Sequence, residues 1–142
     1  MLGPYPSMRH ARLSFTLLML LICIGCASTP PTCLPGTHPI VLDSLYFGTT
    51  TPDGVVTEQE WQAFLTDTVG AEFPEGLTSW TGHGRWRNSG GSVAPETSYL
   101  LQLAHDGGEA RERGLQRLIQ TYKTRFHQKA VMRIRSQACR SF

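Results

Sequence analysis

SYLLQLAHDGGEARERGLQRLIQTYKTRFHQKAVMRIR, from Ser98 to Arg135, is the stretch that decides the fold. Ser98–Ala104 reads as a strand, because an apolar run of this length bounded by turn residues is too short for a buried helix. Asp106 is placed to cap a helix, with Glu109 in its first turn. In that helix Leu115, Leu118, Ile119, Tyr122 and Phe126 recur at helical spacing and form one apolar stripe. Its acids come early and its bases late, as the helix dipole favours. Val131–Arg135 then reads as a strand with Met132 and Ile134 turned to the core.

Upstream the same logic repeats. Val41–Gly48 reads as a strand with Leu45 and Phe47 on one face. Pro52-Asp53-Gly54 makes a turn. Thr57 and Glu60 have capping-box spacing, and the helix they open aligns Trp61, Phe64, Leu65 and Thr68 or Val69, with Gly70 as its stop. Pro74-Glu75-Gly76 turns the chain. Leu77–Arg87 alternates Trp80, Gly82, Gly84 and Trp86 against Thr81, His83 and Arg85, and Asn88-Ser89-Gly90-Gly91 makes a hairpin-type loop. Trp61, Trp80 and Trp86 are expected in the core or packed against a helix, rather than as a stacking surface. The order β-α-β-β-α-β predicts an α+β, ferredoxin-like sandwich: a four-stranded antiparallel sheet with two helices on one face.

The N-terminal quarter has a different composition. Arg9, His10 and Arg12 precede an uncharged Leu- and Ile-rich run, Leu13–Gly25. A basic start followed by a short apolar core is the form of a secretory signal. The run is too short for the roughly 20 residues that a spanning helix needs. The run ends Cys23-Ile24-Gly25-Cys26-Ala27-Ser28, which resembles the lipobox of bacterial lipoproteins, with Cys23 where Leu is usual. The resemblance implies palmitate-type acylation of Cys26, and Ala27 after the cysteine implies outer-membrane rather than inner-membrane retention. Cleavage after Ala27, giving a free periplasmic or secreted protein, is the alternative. The expected organisation is a signal peptide over 1–25, a lipidated N-terminus and tether over 26–36, and one domain over 37–142.

Removing the leader changes two inventories. The chain has 13 basic and 11 acidic residues; without Arg9 and Arg12 the basic count equals the acidic one, and no global charge argues for nucleic acid. Eight bases and no acid follow Glu112, which the acidic remainder can offset by packing beside them. Of four cysteines, Cys23 leaves with the leader and Cys26 takes the lipid. Cys33 and Cys139 remain in an oxidising compartment and are expected to form a disulfide.

Chemical motifs are sparse. There is no phosphate-binding loop, nucleophile elbow or HExxH sequence, and His38, His105 and His127 lack ligand spacing. No cofactor, metal or catalytic residue is assigned. Tyr46, His83, Arg85, Gln102, Arg133 and Arg135 lie opposite the positions assigned to the core. Sharing the open sheet face they form a polar, basic platform, read either as a binding face where arginine pairs recognise an anionic group or as an ordinary solvated outer face.

Several local words point to one family. Leu45-Tyr46-Phe47-Gly48, Glu60-Trp61-Gln62-Ala63-Phe64, Phe73-Pro74-Glu75-Gly76-Leu77-Thr78, Gly84-Arg85-Trp86-Arg87, Tyr122-Lys123-Thr124-Arg125-Phe126 and the Val131–Phe142 ending resemble the bacterial domain of unknown function 3574 family, over about Leu42 to Phe142. The resemblance implies a fold unit in a small exported protein and carries no activity. The expected function is therefore a non-enzymatic binding or structural envelope lipoprotein, held to the membrane through Cys26. The alternative is a ligand-binding or enzymatic ferredoxin-like homodimer whose sheets pack face to face.

Overall fold

A computed structural model describes residues 32–87 and 90–142. The signal segment, Cys26 and most of the tether lie outside the described residues, as do Asn88 and Ser89 of the hairpin loop.

Four long strands and two helical segments alternate as β1 (His38–Gly48), α1 (Glu58–Phe64), β2 (Thr78–Arg87), β3 (Val93–His105), α2 (Gly108–Arg125) and β4 (Met132–Arg140). The sheet order is β2-β3-β1-β4, with every pair antiparallel. This is the ferredoxin-like α+β sandwich. A short ribbon, Thr50–Thr51 with Gly54–Val55, links β1 to α1.

Helix α1 begins where the capping box places it. The Glu60 N–H donates to Thr57 Oγ1 at 3.3 Å, and the Thr57 N–H donates to Glu60 Oε2 at 2.8 Å. Gly70 does not stop it: its φ of −62° is helical, and the chain passes through a π-helical turn, Leu65–Val69, into Gly70–Glu72. The extra residue in that turn holds Phe64, Leu65 and Val69 inward while the axis continues. The reversal falls at Gly76, whose φ of +123° needs glycine. Asp106 does not cap α2 either. Gly107, at φ +84°, is the N-cap and offers no side chain, while Asp106 Oδ1 accepts from Arg140 Nη2 at 3.2 Å.

Phe47, Trp61, Phe64, Tyr99 and Tyr122 meet between sheet and helices, with Phe47 4.6 Å from Tyr122 and Trp61 stacked on Tyr99 at 4.8 Å. Leu45, Leu101, Leu103, Leu115 and Leu118 complete the buried layer. The polar ends of the aromatics are satisfied at its margin: Tyr99 Oη donates to the Val56 carbonyl, Tyr122 Oη to the Gly48 carbonyl, and Trp61 Nε1 to Ser79 Oγ.

Cys33 and Cys139 form a disulfide, with Cα atoms 5.7 Å apart. It ties the segment entering β1 to the end of β4, beside the Pro39–Cys139 cross-strand pair.

Candidate functional site: an open sheet face and an inward charge cluster

Strand register assigns every side chain to a face, since successive residues alternate. The helices cover the side bearing Asp43, Leu45 and Phe47 of β1 and Tyr99, Leu101, Leu103 and His105 of β3. On β4, Leu45 pairs with Arg133 and Asp43 with Arg135, so both arginines point to the helix side. Met132 and Ile134 point the other way and are 38% and 50% exposed. On β2, Ser79 pairs with Leu101 and Thr81 with Tyr99, which puts His83 and Arg85 on the helix side as well. Trp80 and Trp86 lie on the open side, 43% and 41% exposed.

The expected basic platform therefore does not exist. Of its six residues only Tyr46 and Gln102 lie on the open face; His83 and Arg85 are exposed on the opposite side of an edge strand, and Arg133 and Arg135 turn inward. Alternation reveals which residues of a strand share a face but not which face is covered. On both edge strands the apolar set is the uncovered one. Trp80 and Trp86 accordingly leave the core, which keeps Trp61.

The open face is almost free of charge. Leu42, Ser44 and Tyr46 of β1, Trp80 and Trp86 of β2, Leu100 and Gln102 of β3, and Met132 and Ile134 of β4 occupy it. His38, Glu96 and Arg140 are its histidine, acidic and basic strand positions, and Arg140 is paired with Asp106. Neither helix packs on this face, whose Trp80, Trp86, Met132 and Ile134 are exposed while Ile40 at one end is buried. A solvated outer sheet surface ordinarily carries polar side chains at these positions, and a contiguous exposed apolar patch marks an interaction surface.

An ionic cluster centred on a buried carboxylate lies on the helix side. Asp43, fully buried, accepts from His105 Nε2 at 2.9 Å, from Arg133 Nε at 2.7 Å and from Arg135 Nη2 at 2.9 Å. Glu112 of α2 closes the network, taking Arg133 Nη1 and Nη2 at 2.7 Å each and Arg135 Nη2 at 2.9 Å. Gln116 Nε2 donates to the same carboxylate. Burial alone would raise the Asp43 pKa, yet hydrogen bonds from Arg135, Arg133 and His105 hold it well below the usual carboxylate range. The Arg133 hydrogen bond, supported by Gln116, holds Glu112 at about 2. The Gly107 N–H donates to His105 Nδ1 at 3.0 Å, so the ring accepts at Nδ1 and donates at Nε2. Both sequence-assigned arginines thus have a partner in the fold. The missed residues are Asp43 and His105, polar positions in otherwise apolar strands.

A cleft of about 510 Å³ opens at the end of the open face where β1 finishes. Trp86, Tyr46 and Met132 supply its apolar walls, with Glu96, Gln128 and Lys129 among the polar groups.

The sequence matches the model of a family described as protein of unknown function (DUF3574), over residues 43–142. The chain belongs to that family. No curated protein matches it. Among solved structures, a phage SAM lyase in complex with S-methyl-5'-thioadenosine is 12% identical, with a TM-score of 0.55, covering 81% of this chain and 97% of its own. A phage SAM lyase in the apo state is 14% identical, with a TM-score of 0.52, over 80% and 97%. CutA from Synechococcus elongatus is 16% identical, with a TM-score of 0.51, over 78% and 89%. At these identities this DUF3574 member shares their fold alone.

Proposed function

We propose that this protein is an exported envelope lipoprotein with a binding role, and that its open sheet face pairs with a second copy of the same chain. The apolar, nearly uncharged open face carries the reading. Four strands about 4.8 Å apart and roughly ten residues long give a face on the order of 600 Å². That approaches the footprint of about 800 Å² of accessible surface per partner in a standard interface. A face meeting its own copy brings like against like. Charges there would repel, and this face presents few. The one His–Asp pair among the described residues argues for binding over acid–base catalysis: both side chains are 0% exposed and closed in by arginines.

Export is supported by the basic-then-apolar leader, and an oxidising destination suits the Cys33–Cys139 disulfide. Acylation at Cys26 followed by the short tether would hold the domain close to an outer-membrane surface facing the periplasm. Multiple acyl chains anchor durably, at about 0.8 kcal/mol per buried methylene.

Two arms test the proposal in cells. Fatty-acid labelling should mark the wild-type chain and not Cys26→Ala; equal labelling of both would overturn lipidation. A photo-crosslinker at Trp80 should yield a band at twice the chain's mass, and one at His83, on the opposite face, should not. Crosslinks from position 80 to a different protein alone would replace the second copy with a heterologous partner and refute self-pairing.

A further inference from the structure

We propose that the cleft beside Gly48 binds a small primary amine, with its ammonium held by Glu96 and Gln128 and its apolar body lying against Trp86 and Met132. Gly48 has no positive φ to explain a glycine. A Cβ built there would lie 2.7 Å from Glu96 Oε1 and 3.3 Å from Gln128 Oε1. The two oxygens therefore converge within 6 Å of each other above the bare backbone. The Gln128 amide is fixed in this sense, because its Nε2 donates to the Thr50 carbonyl at 2.6 Å. Both converging atoms are acceptors.

Glu96 is only partly exposed, and among the described residues its carboxylate accepts no hydrogen bond and makes no ion pair. A half-buried charge without a partner is unfavourable, and two acceptors pointed at one place call for a donor. An ammonium group supplies three donors and the opposite charge. The rest of the cleft is the wrong chemistry for a bare metal ion. Trp86, Pro95, Val131 and Met132 line it, and no cluster of metal-binding side chains occurs among the described residues. Its volume suits a ligand with an apolar, planar body. Arg87 at the rim is engaged, its Nη1 donating to the Gly91 carbonyl at 2.7 Å. Lys129 remains at the mouth, where it would meet a carboxylate if the amine belonged to an amino acid.

The test is a titration of the full chain in lipid nanodiscs with phenethylammonium, followed by calorimetry and by NMR shifts of Gly48 and the Gln128 side-chain amide. Saturable binding is expected, with Glu96→Gln weakening it by about tenfold or more and His83→Ala, on the helix side of β2 and outside the cleft, leaving it unchanged. 3-Phenylpropionate, the anion of similar shape, should not compete. Phenylalanine serves as the second arm. Tighter binding that Lys129→Ala removes identifies an amino-acid ligand, and equal or weaker binding identifies a simple amine. No saturable shift up to about 10 mM phenethylammonium, or equal binding by Glu96→Gln, overturns the proposal. Tyr46, Trp86 and Met132 belong both to the cleft and to the pairing face. The titration is therefore repeated on the Trp80→Lys chain, whose substitution lies outside the cleft. Binding there that Glu96→Gln weakens supports the site whatever the outcome for pairing, and no binding in either chain overturns it.

Discussion

Asp43→Asn removes one negative charge without changing shape, and the structure gives the size of the consequence. The Asp43 carboxylate is fully buried and receives His105, both Arg133 Nε and Nη2, and both Arg135 Nε and Nη2, at 2.7 to 3.3 Å. An amide has one acceptor oxygen, and its N–H₂ would face guanidinium donors, so at least one arginine loses its bidentate contact. Glu112 stays behind and retains part of the compensation for Arg133. Removing one partner of a buried pair typically costs about 3–5 kcal/mol, and the surviving Glu112 argues for the lower half of that range. Against a total stability of about 5–15 kcal/mol, the variant should remain folded but close to its limit. With a urea slope of about 2 kcal/mol/M, the midpoint should fall by about 1.5–2 M, measured by circular dichroism with the disulfide intact. Ser136→Ala on the exposed edge strand should change stability by no more than about 0.5 kcal/mol. A loss below about 1 kcal/mol for Asp43→Asn would refute the view that this carboxylate organises the cluster.

Acid should act on the same cluster. Asp43 and Glu112 both have depressed folded-state pKa values, so their contribution is complete above the ordinary carboxylate value of 4.5 and is lost as pH falls toward about 2. A pH series of unfolding curves should steepen in that window for the wild type and flatten for Asp43→Asn; equal pH dependence in the two would contradict it. Cys139→Ala should lower stability by about 2–5 kcal/mol, since the bridge closes a loop 106 residues long, and a thiol count on the purified wild-type domain should find Cys33 unreactive. Gly107→Ala should lower the melting temperature by the equivalent of about 1–3 kcal/mol. The φ of +84° disfavours any side chain there, and a Cβ would approach Val41 Cγ2 to 3.1 Å. An unchanged melting temperature would show that the turn relaxes freely.

Which parts of this molecule the sequence reveals follows from where its information is local. Leu45, Phe47, Trp61, Phe64, Leu115, Leu118 and Tyr122 stand at periods that name their own faces, and the element order leaves few topologies. The edge strands are different. Trp80 and Trp86 on β2, and Met132 and Ile134 on β4, look like core because they are apolar and alternate, yet each strand lies at a margin where the open side carries the apolar set. The deciding contact for β4 is Asp43 with Arg135, residues 92 apart in sequence, and no local window contains it. A hint was present: Asp43 interrupts the face that Leu45 and Phe47 begin, and eight bases without an acid follow Glu112. The acids and bases offset one another as the charge distribution suggests, through Arg117 with Glu72, Arg133 and Arg135 with Asp43 and Glu112, and Arg140 with Asp106. Gly70 and Asp106 carry signals of helix termination and capping, which a π-helical turn and a positive-φ Gly107 override.

Self-pairing of the open face is tested most directly by native mass spectrometry of the full chain released from detergent micelles. The wild type should appear at twice the chain mass. Trp80→Lys, which replaces a large exposed apolar side chain on the edge strand of the face with a charge, should appear at the single mass, and His83→Lys, on the other side of the same strand, should remain double. A wild type that stays at the single mass, or a Trp80→Lys variant that stays double, would contradict it.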